Sequence, residues 1–356
     1  MAAVNRTLLV IGYGSLLSGY GLLSERRNGA SRLVALDAFP VRLHNARRGL
    51  AKPTGHGRYL AMDLEPVDPA APIVASTVPQ SPESVASQTH SLTSGQANLI
   101  HNHGSTDGLS ADGNVAAILT PNGIGRASRQ ARNGSGIGAL GLIFDRESAP
   151  LIAKREEYDA GKLNELLDLA DRDGTLLGNF LFGIAQRTGF NLLAYRTALR
   201  ELLGYTSPGY IFHPLPLDDG RVAIVAIGSG FDGSGDPAVQ SKRSRFGMDR
   251  LLTLSEALAH PTFDMDPHGQ IGYYVECILG GYHGIDVSDL IAMLHKVDKQ
   301  HGVLGENTLA ERFAAVTEGE RERFQRATSL DEAQYISAFG GQPHPALDSL
   351  LSSHRA

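Results

Sequence analysis

Two short stretches carry residue types that can do chemistry. The first is Gly12-Tyr13-Gly14-Ser15-Leu16, at the end of an apolar run over residues 7–13. A buried strand that runs into a tight glycine loop lets successive backbone N–H groups converge on an anion or on a carbonyl oxygen. The glycines permit a sharp turn and close approach of a ligand. The second stretch is Leu151-Ile152-Ala153-Lys154-Arg155-Glu156-Glu157-Tyr158, which follows an apolar strand pattern over residues 138–144. Its two carboxylates sit on a short helical pattern, where a charge run by itself reads as a solvated face.

The glycine loop admits a competing reading as a dinucleotide fingerprint. That motif needs Gly-x-Gly-x-x-Gly, and the third glycine position holds Leu17, with Gly19 two residues late. Asp37 stands at a plausible distance for a ribose contact. Gly19 and Gly21 nevertheless weaken the helix that must follow. A hydrolase nucleophile elbow does not occur either, because Gly134-Ser135-Gly136 lies outside any strand–turn–helix pattern. His101 and His103 sit two apart, as metal ligands on a strand would, but no third ligand is near in sequence. Asp232-Gly233-Ser234-Gly235-Asp236 alternates oxygens as a calcium loop does, yet Pro237 and Arg243 occupy the positions that need glycine and glutamate. Cys277 lies on an apolar helical stripe and reads as a core thiol.

The elements that must hold these residues follow from periodicity. Strands are expected at residues 7–13, 32–38, 40–46, 59–64 and 138–144, with Pro40 marking a strand edge or start. Residues 210–217 and 222–227, joined by Asp218-Asp219-Gly220, carry a strong hairpin signal. Helices are expected at 151–158, 162–170, 190–203, 247–259, 272–280, 287–297 and 308–324. Between residues 67 and 137 there is no Phe, Tyr or Trp, and Ser, Gly, Asn, Gln and Pro dominate. Such a stretch buries too little apolar surface to offset its ordering entropy, so about 67–135 is expected to be a largely disordered insertion with one strand-like piece at 115–119.

A strand ending in Tyr13-Gly14-Ser15-Leu16 near the start of the chain resembles the opening of the γ-glutamylcyclotransferase-like family. The family's second signature is a strand followed by a short helix bearing one glutamate, often as Arg-Glu, with an apolar residue four positions earlier. Here Ile152 precedes Glu156 by four and Arg155-Glu156 forms the pair. Phe39-Pro40-Val41-Arg42-Leu43, Tyr59-Leu60-Ala61-Met62, Tyr210-Ile211-Phe212-His213-Pro214 and Tyr273-Tyr274-Val275-Glu276-Cys277 resemble further family elements. The likeness spans roughly 7–66, 137–160 and 208–285. One departure is that Tyr158 follows Glu156 by two residues rather than three or more, which leaves Glu157 as a second candidate.

The resemblance implies an α+β protein built on a mixed, partly closed β-barrel with surrounding helices. It implies one domain over 1–285, interrupted by the 67–135 insertion and by a helical insertion at about 160–207. A C-terminal helical extension over 286–356 completes the chain and offers a route to homo-oligomers. The implied activity is cofactor-independent cyclotransfer, with no metal. The α-amine of a γ-glutamyl amide attacks its own γ-carbonyl, and 5-oxoproline and an amine or amino acid are released. Glu156 is then the acid–base, best with a pKa raised by partial burial. Backbone N–H groups of Tyr13, Gly14, Ser15 and Leu16 would hold the developing oxyanion or the α-carboxylate. Tyr158 and Tyr210 would wall the substrate. Glutathione, γ-glutamyl dipeptides, γ-glutamylamines and a biosynthetic intermediate all remain open as substrates.

Composition agrees with a small-molecule enzyme. The chain has 356 residues, 42% hydrophobic and 20% charged, with net charge −6. That balance argues against nucleic acid or an anionic membrane as the main partner. The single cysteine precludes an intrachain disulfide and fits a reducing, cytoplasmic setting. Two other classes stay in view. A binding or regulatory protein on the same fold predicts that Glu156 points away from the Tyr13–Leu16 loop. A nucleotide-dependent oxidoreductase predicts a parallel sheet.

Overall fold

The computed structural model describes residues 7–17, 35–54, 59–68, 72–78, 136–156, 158–204, 210–228, 251–259, 270–271, 273–274, 277 and 285–301. Eight strands are found among them: β1 (Thr7–Gly12), β2 (Asp37–His44), β3 (Ala46–Thr54), β4 (Tyr59–Pro66), β5 (Val74–Thr77), β6 (Gly136–Asp145), β7 (Tyr210–Pro216) and β8 (Val222–Gly228). The helices are α1 (Ala149–Arg155), α2 (Ala160–Arg172), α3 (Leu177–Arg187), α4 (Leu192–Leu203), α5 (Leu254–Leu258) and α6 (Ser288–His301).

Six strands form one curled sheet in the order β5-β2-β6-β1-β8-β7, and β3 and β4 form a separate hairpin. Every neighbouring pair in the six-stranded sheet is antiparallel except β1 and β8. The central strands β1, β6 and β8 are near-continuous apolar runs because helices and the hairpin cover both faces. The sheet curls until its edges meet. Ala75 on β5 bridges Leu217 just beyond β7, and Asp218 N–H donates to the Ala75 carbonyl at 3.0 Å. The molecule is therefore mixed α+β, with a half-barrel sheet wrapped by helices.

Several elements differ from the sequence expectation. Of the strands expected at 32–38 and 40–46, residues 32–34 lie outside the described residues, and the rest do not break at Phe39. One strand, β2, runs through Pro40, and a second, β3, begins after Asn45, whose φ of 54° turns the chain. Pro40 is neither at an edge nor at a strand start. Its carbonyl accepts from Val78 N–H at 3.1 Å, so its ring nitrogen faces β5 as well. β5 ends there, at Thr77, and the missing donor interrupts no ladder. β5 itself lies within the expected 67–135 insertion, so the sheet extends into that stretch. The remainder of the stretch that lies outside the described residues includes 115–119, His101 and His103.

Among the helices, α3 had no expectation because Gly178 and Gly183 dilute its pattern. The first glycine has a packing reason. α3 crosses β1, β8 and β7, and a Cβ on Gly178 would fall inside the carbonyl oxygen of Val222. Of the expected helix at 247–259, residues 247–250 lie outside the described residues; Leu252 bridges Leu50 on β3, and the helix found is α5. Thr253 then opens α5 with a capping box to Glu256. Helical backbone does occur at 270–271, 273–274 and 277, while 308–324 lies outside the described residues. α6 buries Leu290, Leu294 and Val297 in the same core as the sheet. No helix among the described residues is long and apolar enough to cross a membrane.

The two glycines of α3 make a matched pair. Gly178→Ala should destabilise by about 1–3 kcal/mol through overpacking against β8. Gly183→Ala meets only Arg187 Nη1 at 3.9 Å and should stabilise by about 0.5–1 kcal/mol. Urea midpoints of the two variants should therefore move in opposite directions from wild type.

Candidate active site

The loop after β1 is built by close approach rather than by unusual backbone angles. A Cβ on Gly12 would lie 2.6 Å from Leu16 Cβ and 2.8 Å from Leu16 O, because the chain folds straight back over the strand end. Neither Gly12 nor Gly14 is among the residues with positive φ. Ser15–Leu17 closes as a 3-10 turn, with Leu17 N–H donating to Gly14 O at 2.9 Å. Leu16 and Leu17 anchor the turn in the core. Gly14 is hemmed in by Met62 and by the Tyr273 hydroxyl, at 3.3 and 3.4 Å from a built Cβ.

Tyr13 is fixed at both ends. Its hydroxyl donates to Ala226 O on β8 at 2.6 Å, and its carbonyl accepts from Arg48 Nη1 at 2.9 Å. Its side chain is therefore part of the support. Only its backbone faces the role foreseen from the sequence.

The glutamate helix reaches this loop through Arg155. α1 buries Ala149, Ile152 and Ala153 and starts with a proline in its first turn, where the lost N–H costs nothing. It ends after two turns, because Asp159 caps the start of α2 by accepting from Lys162 N–H. Arg155, at the last turn, has a side chain only 1% exposed. Its Nη2 donates to Ser15 Oγ at 2.9 Å. Glu156 is the C-terminal cap, with its side chain 13% exposed and Oε1 3.7 Å from Arg155 Nε. Glu157 lies outside the described residues.

Around the loop, charges and phenols cluster. Burial raises the Tyr13 phenol well above its ordinary pKa, and the neighbouring charges of Asp63, Tyr210, Glu156 and Tyr273 add to the shift. These five side chains come from the loop after β1, β4, the end of α1, β7 and the 270–277 segment. Asp63 is 2% exposed. Its Oδ1 accepts from Gly228 N–H at 2.6 Å and from Leu64 N–H at 2.8 Å. Gly228 must be glycine, since a Cβ there would overlap the Asp63 carboxylate. Arg196 Nη2 donates to Gly228 O at 3.1 Å and completes the anchor of the β8 end.

Of the residues expected at the site, the structure gathers Tyr13, Gly14, Ser15, Leu16, Glu156 and Tyr210. The Tyr210 hydroxyl is engaged with Met62 O at 2.5 Å. Tyr158 goes elsewhere: its ring packs on Phe212 at 5.0 Å and its charge is felt by Tyr195, so it belongs to the packing layer under α4. Sequence reasoning missed Asp63, Arg48 and the loop-facing role of Arg155. Asp63 did leave a signal, an aspartate between Met62 and Leu64 in an apolar strand. Nothing in the sequence sets Arg48 apart from Arg47; the fold does, by burying its side chain to 2% exposure.

Asp37 lies exposed on β2, which pairs with β6 and β5 and not with β1. The strand after the glycine loop thus does not continue a parallel wind. Among the described residues, no group of three or more His, Cys, Asp or Glu comes together as metal ligands. Comparison of the chain with protein-family models, with curated proteins and with solved structures finds no match.

His213 on β7 shows the structural use of a titratable group. It packs edge-on against Tyr195 at 5.0 Å. Burial pushes its pKa down from 6.5 to about 4, with Arg196 acting in the same direction. Between those values the unfolded chain binds a proton that the folded chain refuses, so stability must fall as pH drops from 6.5 toward 4. The loss from this group should be about 3 kcal/mol. In urea unfolding at pH 7 and pH 4.5, His213→Gln should show a smaller acid penalty than wild type.

Proposed function

We propose that the chain is a cofactor-independent γ-glutamyl cyclotransferase with a γ-glutamylcyclotransferase-like barrel. The observation that supports this most is the Arg155–Ser15 hydrogen bond. It ties the glutamate helix to the Tyr13–Leu16 loop, two elements separated by 140 positions in sequence. Glu156 then acts beside loop amides that can hold an oxyanion. A purely binding role predicts Glu156 turned away from that loop; its place directly after Arg155, which bonds Ser15, favours the catalytic reading. The largely antiparallel sheet counts against a nucleotide-dependent oxidoreductase.

In this reading the substrate's α-ammonium gives a proton to Glu156. The freed amine attacks the γ-carbonyl carbon, and a C–N bond forms as the carbonyl oxygen becomes anionic. Loop N–H groups offset that charge at no cost of reorganisation. The tetrahedral centre then expels the amide nitrogen, which takes the proton back from Glu156; the ring nitrogen gives its second proton to the regenerated Glu156 carboxylate, which passes it to the departing amine. The products are 5-oxoproline and a free amine or amino acid. Folding the glutamyl chain so that nitrogen and carbon approach at about 3–3.5 Å can supply about 7–11 kcal/mol of the barrier.

The test is 5-oxoproline release from glutathione, γ-glutamyl dipeptides and γ-glutamylamines. Wild type should release it from at least one compound. Glu156→Gln should lower kcat by about 10²–10⁴-fold, while Glu157→Gln stays near wild type. Absence of release from every compound by folded wild type overturns the reading.

A further inference from the structure

We propose that Arg48 is a positioning residue that aims the Gly14 N–H, and that α6 holds Arg48 in place through Asp289. The inference rests on the cyclotransferase reading for its kinetic consequence, but its geometry stands apart from it. Arg48 lies on β3 with its side chain 2% exposed. Three of its donors are committed. Nε and Nη2 form a two-pronged contact with Asp289, at 2.8 Å to Oδ2 and 2.7 Å to Oδ1. Nη1 donates to the Tyr13 carbonyl at 2.9 Å.

A trans peptide is planar, with its C=O and N–H pointing in opposite directions. No cis peptide occurs among the described residues. Holding the Tyr13 oxygen therefore fixes the Gly14 N–H on the far side of the peptide, away from Arg48. The cationic donor also draws electron density from the carbonyl and makes that N–H a stronger donor. Glycine at 14 has the freest backbone in the loop, so this peptide plane is the one most in need of an external hold. Tyr13 cannot rotate to escape it, because its hydroxyl is bound to Ala226.

The fork is what makes arginine necessary. A guanidinium spans a carboxylate on one edge and a carbonyl on another in one rigid plane, and a lysine ammonium does not. Asp286 and Asp289 both tie this C-terminal segment to the sheet and hairpin. Asp286 pairs with Arg42 at 2.7 Å, and its carbonyl accepts from Gly138 N–H at 3.0 Å. Only Asp289 reaches the loop, and it does so through Arg48. α6 thereby becomes part of the support of the site.

A plain strap between β3 and α6 would give a different result from a positioning residue. The experiment uses the full chain with [¹³C]carbonyl tyrosine and [¹⁵N]glycine. Only two Tyr–Gly peptides exist, Tyr13–Gly14 and Tyr20–Gly21, so two signals result, and Tyr20→Phe, which removes the second, assigns them. Arg48→Lys and the milder Asp289→Asn should both move the Tyr13–Gly14 resonance and leave Tyr20–Gly21 unchanged. With a γ-glutamyl substrate, kcat should fall by about 10-fold or more in Arg48→Lys, with KM within about twofold, as for a donor used chiefly in the transition state. An unmoved Tyr13–Gly14 signal, or a lowered melting temperature with kcat unchanged, overturns the proposal. If wild type releases no 5-oxoproline, the cyclotransferase reading fails, and the resonance alone decides whether Arg48 sets this peptide plane.

Discussion

Leu60, Met62 and Leu64 turn backbone groups away from β3 and into the protein interior, where water cannot satisfy them. Each buried N–H or C=O left without a partner costs about 1–3 kcal/mol. Among the described residues, no strand pairs with β4 on that side to take them. Side chains do so instead: Gln270 brackets both groups of Leu60, Tyr273 accepts from Met62 N–H, and Tyr210 donates to Met62 O. Asp63 serves Leu64 N–H with its own carboxylate. These partners come from distant parts of the chain. Satisfying one strand edge therefore draws together much of the polar cluster around Tyr13.

The same constraint orders the opposite edge of the hairpin. Leu50 exchanges both backbone hydrogen bonds with Leu252, at 2.8 Å each. The hairpin is thus held on one side by backbone and on the other by side chains. Arg48, two residues before Leu50, is carried on this frame, and its reach to Tyr13 depends on where the frame sets it. Electrostatics follow from packing. The phenols and carboxylates near Tyr13 are close because they fill polar roles along one edge.

The sequence made the core strands legible where period and apolar run agree. β1, β6, β7 and β8 are there as expected, and Gly220 at φ 88° turns the last hairpin. The loop at Gly12 and the glutamate helix were legible as motifs. What was not legible depends on tertiary contact. Pro40 reads as an edge marker, yet it sits inside β2 because its missing donor points past the end of β5. α3 had no expectation, and Gly178 is the point where it touches Val222. Tyr158 reads as a site wall, and its ring packs on Phe212. Arg48 carries no signal in its spacing, and its side chain is nearly fully buried. Each of these residues takes its place from a long-range neighbour, and no spacing rule encodes that neighbour.

The curled sheet is closed by backbone pairing at the Leu217 end of β7. At the other end, where Tyr210 pairs with Gly228 near the Tyr13 loop, the wall is completed by the hairpin and by a hydroxyl–carbonyl contact to Met62. The two ends therefore differ in how they can change. Altering the aperture at the Leu217 end would require shifting strand register, which moves every side chain on the strand to the opposite face. Altering it at the Tyr210 end requires only a different side chain. The half-barrel sheet thus joins an end set by backbone register to an end set by individual side chains, so the Tyr210 end can be altered by point replacements while the strands stay in place.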